Sequence, residues 1–543
     1  MKVSFLEIEN FRGIKKASLL LPDHAVLIGD NNTGKSTVLE ALDLVLGPDR
    51  LSRQSPIDEH DFHQGMYLAP DDSSGDKEAH SAKEQRITVT ATITALSDEQ
   101  LAYFGSYIEW WDASSYHLFD EPDAAKLDAA PTIPALRVTF IGRYDPDEDD
   151  FEGKTYYTRT LEEADEPDQF SKRDKQRCGF LYLRSIRTGS RALSLERGSL
   201  LDIILRLKEI RPKMWEATLS GLRTFDVASN PELGISGVLG SIDAALKKYV
   251  PREWGIQPHL RVSTLTRRHL REVITAFIAT GDGAHAAPYY RQGTGTVNML
   301  LLAMLSQIAE DKQNVIFAME EPETAIPPYA QKRIVHELRK LSAQSLFTSH
   351  SPYVLEEFSL EETLVLSRSS ADELVSAKIA LPDSVKHKRY RQEFRSRFCE
   401  SLLARRILVV EGATEAAAVP AVARRLAELN PSAYVSLESL GVSVLDAGSD
   451  SQIFDLATLY KSLGKDTFAI CDKQSPDQEA KISGSVKMLF MHTENDFEDL
   501  VLKNTTQAAL ERFANALEWP PHLKTKYPDL KKNTSAALTD YFN

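Results

Sequence analysis

The chain has 543 residues, enough for about two to four domains of ordinary size. Hydrophobic residues make up 42% and charged residues 26%, which excludes a disordered, collagenous or disulfide-framework protein. Lys and Arg number 64 against 79 Asp and Glu, a net charge of −15, so the chain does not coat nucleic acid with general positive charge. Contact with DNA would need a local basic groove or a bound metal ion. Three widely spaced cysteines, Cys178, Cys399 and Cys471, fit neither a zinc site nor disulfide pairing. No apolar run approaches 18 residues, so a cytoplasmic protein without a membrane span is expected.

Residues 3–8 alternate as a strand and 25–28 form a second apolar run, with Asn10-Phe11-Arg12-Gly13 as a turn between them. A glycine-rich loop then leads into a helix over 35–46, in which Val38, Leu39, Leu42, Val45 and Leu46 recur at helical spacing up to Gly47-Pro48. Segments 71–83 and 145–154 are polar and read as solvated loops, and between them 87–96 is a β-branched alternating strand. Residues 179–186 are a further strand candidate, and from 199 to about 250 the pattern turns helical, an insertion between two α/β pieces. A loop over 281–290, a helix over 297–309, an apolar run at 315–319, a helix ending at Leu341 and a run at 345–348 predict a parallel sheet. Residues 386–397 read as a linker helix. Beyond it, runs at 407–410, 442–445, 467–470 and 487–490 alternate with helices as a second, smaller α/β domain.

Gly29-Asp30-Asn31-Asn32-Thr33-Gly34-Lys35-Ser36 fits G-x-x-x-x-G-K-[ST] between strand and helix, the context that this phosphate-binding loop requires. Its glycines let backbone N–H groups close on phosphates at a helix N-terminus, Lys35 supplies a point charge, and the Ser36 hydroxyl suits Mg²⁺. Gly29, Asn32, Gly34, Lys35, Ser36 and Thr37 are therefore the candidate nucleotide ligands. A buried strand delivers Glu320 and Glu321 at its C-terminal end, one suited to the metal and the other to polarising water. Alone such acids are usually a solvated strand end; beside a P-loop the functional reading is favoured. His350 follows the next strand as a candidate γ-phosphate sensor, and Gly293 and Gly295 precede a helix whose amides can cap a phosphate.

In this order, and with a long insertion after the P-loop, these elements resemble the ABC-type ATPase heads of the RecF, SMC and Rad50 group. Asn10-Phe11-Arg12-Gly13, the Gly293 region as a divergent signature motif, Glu320-Glu321-Pro322-Glu323 and Thr348-Ser349-His350-Ser351-Pro352 carry the resemblance. In such heads the signature of one subunit completes the nucleotide site of another. The resemblance therefore implies a homodimer or higher homo-oligomer, with the helical insertion as a dimerisation element.

In the C-terminal domain Glu411 leaves a strand end and Glu415 can return beside it on the first helical turn. Further strands end at Asp446 and Asp472 or precede Glu498, and parallel strands bring such ends together. Oxygen ligands suit Mg²⁺ or Mn²⁺, which would serve phosphodiester displacement. Taken singly, each acid is more often a solvated strand end. Together, Val409-Val410-Glu411-Gly412 and Asp472-Lys473-Gln474 resemble a Toprim domain, although Gln474 stands where that pattern has a second Asp. An ABC-type head followed by a Toprim domain resembles the OLD (overcoming lysogenization defect) family of ATP-dependent nucleases.

That resemblance implies an α/β fold with an ATPase head at 1–190 and 266–399, a helical insertion at 191–265 and a Toprim nuclease domain at 400–543. It implies ATP and Mg²⁺ or Mn²⁺ as cofactors and DNA as substrate. Glu411, Glu415, Asp472 and Glu498 become the expected catalytic metal ligands, with Asp446 and Asp450 beside them; Glu321 is expected to act catalytically, and Ser36 and Glu320 to hold the nucleotide's metal. Members act in anti-phage defence, as in Gabija-type systems, with a UvrD-like helicase or a reverse transcriptase as partner. Two motifs depart from the family: Ala325-Ile326-Pro327-Pro328 replaces a Leu-His-Pro sequence, and the late lysine has only Lys524, Lys531 and Lys532 as substitutes before Asn543. These departures imply truncation, a different ending or, in the rival reading, a nucleotide-gated DNA clamp without cleavage; a pure ATPase motor component is a third.

Overall fold

The computed structural model describes residues 1–48, 56–68, 85–119, 132–163, 166–183, 195, 199–208, 211–224, 235–249, 266–274, 276–279, 286–311, 315–324, 327–369, 371–382, 395–494, 496–529 and 532–542. The expected loop at 71–83 and most of the expected linker helix at 386–397 lie outside them.

The chain opens as a hairpin of β1 (Lys2–Phe11) and β2 (Ile14–Leu20), turning at Arg12-Gly13. β2 is masked in the sequence because Lys15 and Lys16 interrupt its alternation, yet Ile14, Ala17 and Leu19 all point into the core. β3 (His24–Ile28) leads through the P-loop into α1 (Lys35–Leu46), whose apolar face is buried against the sheet. Beyond it lie β4 (Ile87–Thr94), β5 (Ile133–Asp145) and β6 (Asp150–Tyr157), an antiparallel run beside β1. Residues 145–154 are thus not a solvated loop but the tip of the β5–β6 hairpin. Asp149 takes a left-handed φ of 49° and Asp145 accepts the Asp147 N–H, so a tight turn explains the polar composition.

The nucleotide half of the sheet follows: β7 (Phe180–Leu183), α2 (Thr294–Asp311), β8 (Ile316–Glu320), α3 (Pro328–Leu341), β9 (Gln344–Thr348), β10 (Thr363–Arg368) and β11 (Leu374–Lys378). All join one 13-stranded sheet in which β7-β8-β9-β3-β10 are parallel neighbours. β11, β2, β1, β4 and β5 continue it on the β10 side, and most of that pairing is antiparallel. The expected parallel sheet is therefore only this central portion. Within 199–250 the described helices are Leu200–Leu207, Arg211–Thr224 and Ile235–Tyr249.

Helix α4 (Arg395–Leu403) connects to a second sheet of four parallel strands. These are β12 (Arg406–Val410), β13 (Val442–Asp446), β14 (Asp466–Cys471) and β15 (Met488–Met491), in the order β13-β12-β14-β15. Helices α5 (Ala413–Leu429), α6 (Asp450–Ser462) and α7 (Phe497–Asn504) accompany them. Phe398 and Leu402 of α4 are buried in a core that runs without a break from Val354 and Leu355 of the first sheet's side to Ile407 and Leu456 of the second. The two sheets are packed together through this shared core.

Candidate nucleotide and metal sites

The P-loop lies at the C-terminal end of β3, between β9 and β10, where parallel strands open a crevice. Gly34 caps α1 at a φ of 118°, a conformation that favours glycine. A Cβ on Gly29 would stand 2.5 Å from the Leu366 carbonyl oxygen. Gly29→Ala is therefore expected to destabilise the fold by about 1–3 kcal/mol, the usual range for overpacking, and to impair nucleotide binding. Chemical denaturation and ATP titration would check it.

Lys35 is buried and its Nζ donates to the carbonyls of Gly29 at 2.8 Å and Asp30 at 2.9 Å, so the ammonium closes over its own loop. Burial lowers the Lys35 pKa, opposed by Asp30 and Glu321. Ser36 is exposed on the first turn of α1 and Thr37 is half-buried, while Asn32 takes a left-handed φ of 63°. Arg12 ties the first hairpin to this unit through ion pairs with Glu40 of α1 and with Asp61.

Glu320 ends β8 opposite Thr348 of β9, and its carboxylate accepts the Tyr182 hydroxyl. Glu321 follows at a φ of 44°, its N–H donating to the Thr348 carbonyl. Burial and the Lys35 charge lower the His350 pKa, partly offset by Glu321, so the ring is neutral at pH 7. Lys35, Glu321 and His350 are thus electrostatic neighbours. Glu323 accepts the His350 N–H at 2.7 Å, and burial raises its own pKa. The sequence named Glu323 only as part of a motif; its positioning role, like that of Tyr182, depends on strand register. Gly293 immediately precedes α2 and Gly295 lies in its first turn; Gly293 is not among the described residues lining the cleft beside the P-loop.

In the second sheet, Glu411 and Asp472 follow adjacent strands β12 and β14, and the Asp472 N–H donates to Glu411 Oε2 at 3.2 Å. Glu415 is buried on the first turn of α5, accepting the Gly412 N–H at 3.2 Å. Burial raises the pKa of Glu411, Glu415 and Asp472, and the negative charges add to the shift: Asp472, Asp450 and Glu415 act on Glu411, while Glu498 acts on Glu415 and Asp472. Such mutual repulsion favours a cation. Asp446 stands apart, since Arg397 of α4 holds it at 3.0 Å and the Gly448 N–H at 2.8 Å.

His492, beyond β15, was not anticipated. Its Nε2 is 2.7 Å from Asp472 Oδ1, an ion-pair contact that lowers the Asp472 pKa against the rise from burial and the acids around it. Among the described residues no three His, Cys, Asp or Glu side chains are grouped closely enough to hold an ion by themselves. Mg²⁺ is commonly bound by one or two carboxylates together with water and substrate phosphate, which is what Glu411 and Asp472 can offer. Gln474 turns to the backbone instead, donating to the Asp472 carbonyl at 3.3 Å.

Residues 1–164 and 238–355, more than half of the chain, match the AAA ATPase domain family. Residues 402–473 match the Toprim domain of overcoming lysogenization defect protein-like chains. The chain is 21% identical over 437 residues to endonuclease GajA of Bacillus cereus (strain VD045), spanning 76% of this chain and 66% of that relative's length. It is 52% identical over 44 residues to the uncharacterised protein YbjD of Escherichia coli (strain K12), 8% of each chain. Among solved structures, the SMC head domain from Thermotoga maritima has a TM-score of 0.32 at 10% identity, covering 70% of this chain and 100% of that one. Stu0660 of Streptococcus thermophilus has a TM-score of 0.35 at 10% identity, covering 74% and 86%. No helix among the described residues is long and apolar enough to cross a membrane.

Proposed function

This chain belongs to the OLD (overcoming lysogenization defect) family, an ATPase head joined to a Toprim domain, and from that premise we propose that it is an ATP-regulated, divalent-metal-dependent DNA endonuclease or nickase of bacterial anti-phage defence. The observation that carries this reading is the pair Glu411 and Asp472, two half-buried carboxylates at neighbouring parallel strand ends whose pKa values burial and neighbouring acids raise.

In this reading Glu411 and Asp472 hold the metal, Glu415 and Glu498 add negative charge around it, and Asp450 flanks Glu411. Bound there, Mg²⁺ or Mn²⁺ supplies an activated water and charge stabilisation for the leaving oxygen. The Gly412 N–H fixes Glu415, His492 fixes the edge of Asp472, and Arg397 keeps Asp446 on the framework. In the head, Lys35 exchanges its loop carbonyls for phosphate oxygens, and Ser36 and Glu320 support the nucleotide's metal. Glu321 orients water, and His350, neutral and held by Glu323, reads the terminal phosphate. Gly293 and Gly295 face the nucleotide of a second copy, so the working form is a homodimer or higher homo-oligomer, with 191–265 as the dimerisation element. A UvrD-like helicase or a reverse transcriptase is the proposed class of partner in a cytoplasmic setting.

A second reading, a nucleotide-gated DNA clamp, draws on Gln474, whose amide binds backbone where the Toprim pattern places a second carboxylate. Incubating the full chain with supercoiled DNA and Mn²⁺ separates the two. Nicked or linear product that EDTA suppresses supports the nuclease; DNA retention without product would establish the clamp.

A further inference from the structure

The end of α6 places a lysine where the metal-site chemistry does not use it. Gly464 takes a left-handed φ of 77° after the helix, its N–H donating to the Lys461 carbonyl while the Lys465 N–H donates to that of Tyr460. This paired closure is a Schellman motif, so the sequence Leu463-Gly464-Lys465 fixes where Lys465 departs. A Cβ on Gly464 would stand 3.7 Å from the Ser367 side chain of β10, so the turn is seated against the first sheet.

The Lys465 side chain is only 6% exposed, and its Nζ lies 3.8 Å from Asp30 Oδ1 of the P-loop. Among the described residues that distant carboxylate is its ion partner, and the ammonium donates no hydrogen bond. Its stem is buried while its tip lines an open cleft, so the ammonium is partly desolvated, held by one distant carboxylate and accessible to a second anion. Lys465 lines a cleft of about 1460 Å³ together with residues 29–33 and His350, the loop built to receive phosphate.

We propose that Lys465 is a phosphate ligand donated by the C-terminal domain, within the same chain, to the nucleotide on the P-loop. The inference rests on the reading of residues 29–36 as a nucleotide site. Its consequence is mechanical. Lys465 immediately precedes β14 and Asp472 immediately follows it, so one strand of six residues, roughly 20 Å long at the usual rise, has the nucleotide at one end and the candidate metal ligand at the other. A phosphate that draws Lys465 away from Asp30 acts directly on the strand that carries Asp472.

The test is calorimetric titration of the full chain with Mg²⁺-ATP, comparing wild type, Lys465→Met, Lys465→Gln and Lys465→Arg, beside thermal melts of each nucleotide-free chain. Lys465→Met is expected to weaken ATP binding about tenfold, the scale of one lost hydrogen bond to a charged group, and Lys465→Arg to restore most of it. Lys465→Gln, which keeps a polar tip but no charge, is expected to bind ATP as weakly as Lys465→Met. Unchanged binding by Lys465→Met would overturn the proposal, and weakening matched by a lower melting temperature that Lys465→Arg does not rescue would make the pair a mere tie between domains and overturn it too. Should Lys465→Met fail to melt cooperatively, Lys465→Gln decides in its place: unchanged binding overturns the proposal and weakening that Lys465→Arg reverses supports it. A wild-type chain that binds no ATP would overturn the nucleotide reading itself, a distinguishable result.

Discussion

Replacing Glu411 by alanine is expected to lower metal-dependent DNA cleavage by more than about a hundredfold, since even partners behind the metal ligands commonly cost 10–100-fold. Glu411 stands at the end of β12, and its Oε2 accepts the N–H of Asp472, so the substitution removes both a carboxylate oxygen and the anchor of its neighbour. The fold should survive. Burial and neighbouring negative charge raise the pKa of Glu411, Glu415 and Asp472, so ionising them works against the metal-free fold. A carboxyl with a raised folded-state pKa binds more protons folded than unfolded, and its unfavourable contribution therefore grows as pH rises from the ordinary carboxylate range through the raised one. Mn²⁺ is expected to raise the melting temperature of wild type above that range, and to lose this effect as pH falls into it. Glu411→Ala should melt no lower than wild type without metal and gain little from Mn²⁺. Thermal melts across pH with Mn²⁺ or EDTA, followed by cleavage rates, would check both expectations.

Lys35→Ala is expected to reduce ATP hydrolysis by on the order of a hundredfold, the scale for losing one donor aimed at developing charge. Lys35 Nζ is bound to the Gly29 and Asp30 carbonyls, within the loop whose amides would receive the phosphates. Removing it leaves the backbone cradle but deletes its central charge. The same variant should make DNA cleavage insensitive to added ATP while retaining cleavage by the intact Glu411 and Asp472 pair. Hydrolysis rates and cleavage time courses with and without ATP would check this, and a variant that hydrolyses ATP normally would contradict the role assigned to Lys35.

The parts of this fold that sequence makes legible are those in which chemistry and local pattern coincide. The P-loop was readable because Gly29, Gly34, Lys35 and Ser36 lie on one short strand–loop–helix unit. Glu411 and Asp472 were readable because each terminates an apolar run, and parallel pairing alone suffices to bring such ends together. What stayed hidden depends on register or on distant packing. β2 was masked by two solvent-facing lysines, and the β5–β6 hairpin by a polar edge. His492 meets Asp472 only because β15 pairs with β14, with Met491 opposite Cys471. Lys465 is an ordinary lysine after a helix-ending glycine until the two sheets are packed and it stands before Asp30. Asp446 looks like its neighbours in sequence, but Arg397 of a preceding helix takes it up.

The most direct test of the account is cleavage of supercoiled DNA by wild type and Glu411→Ala, purified side by side, in Mg²⁺ or Mn²⁺ with and without ATP. Cutting by wild type is expected to require metal, to change in rate with ATP and to be absent from Glu411→Ala. Equal cutting by both chains, or none by wild type under any of these conditions, would contradict it.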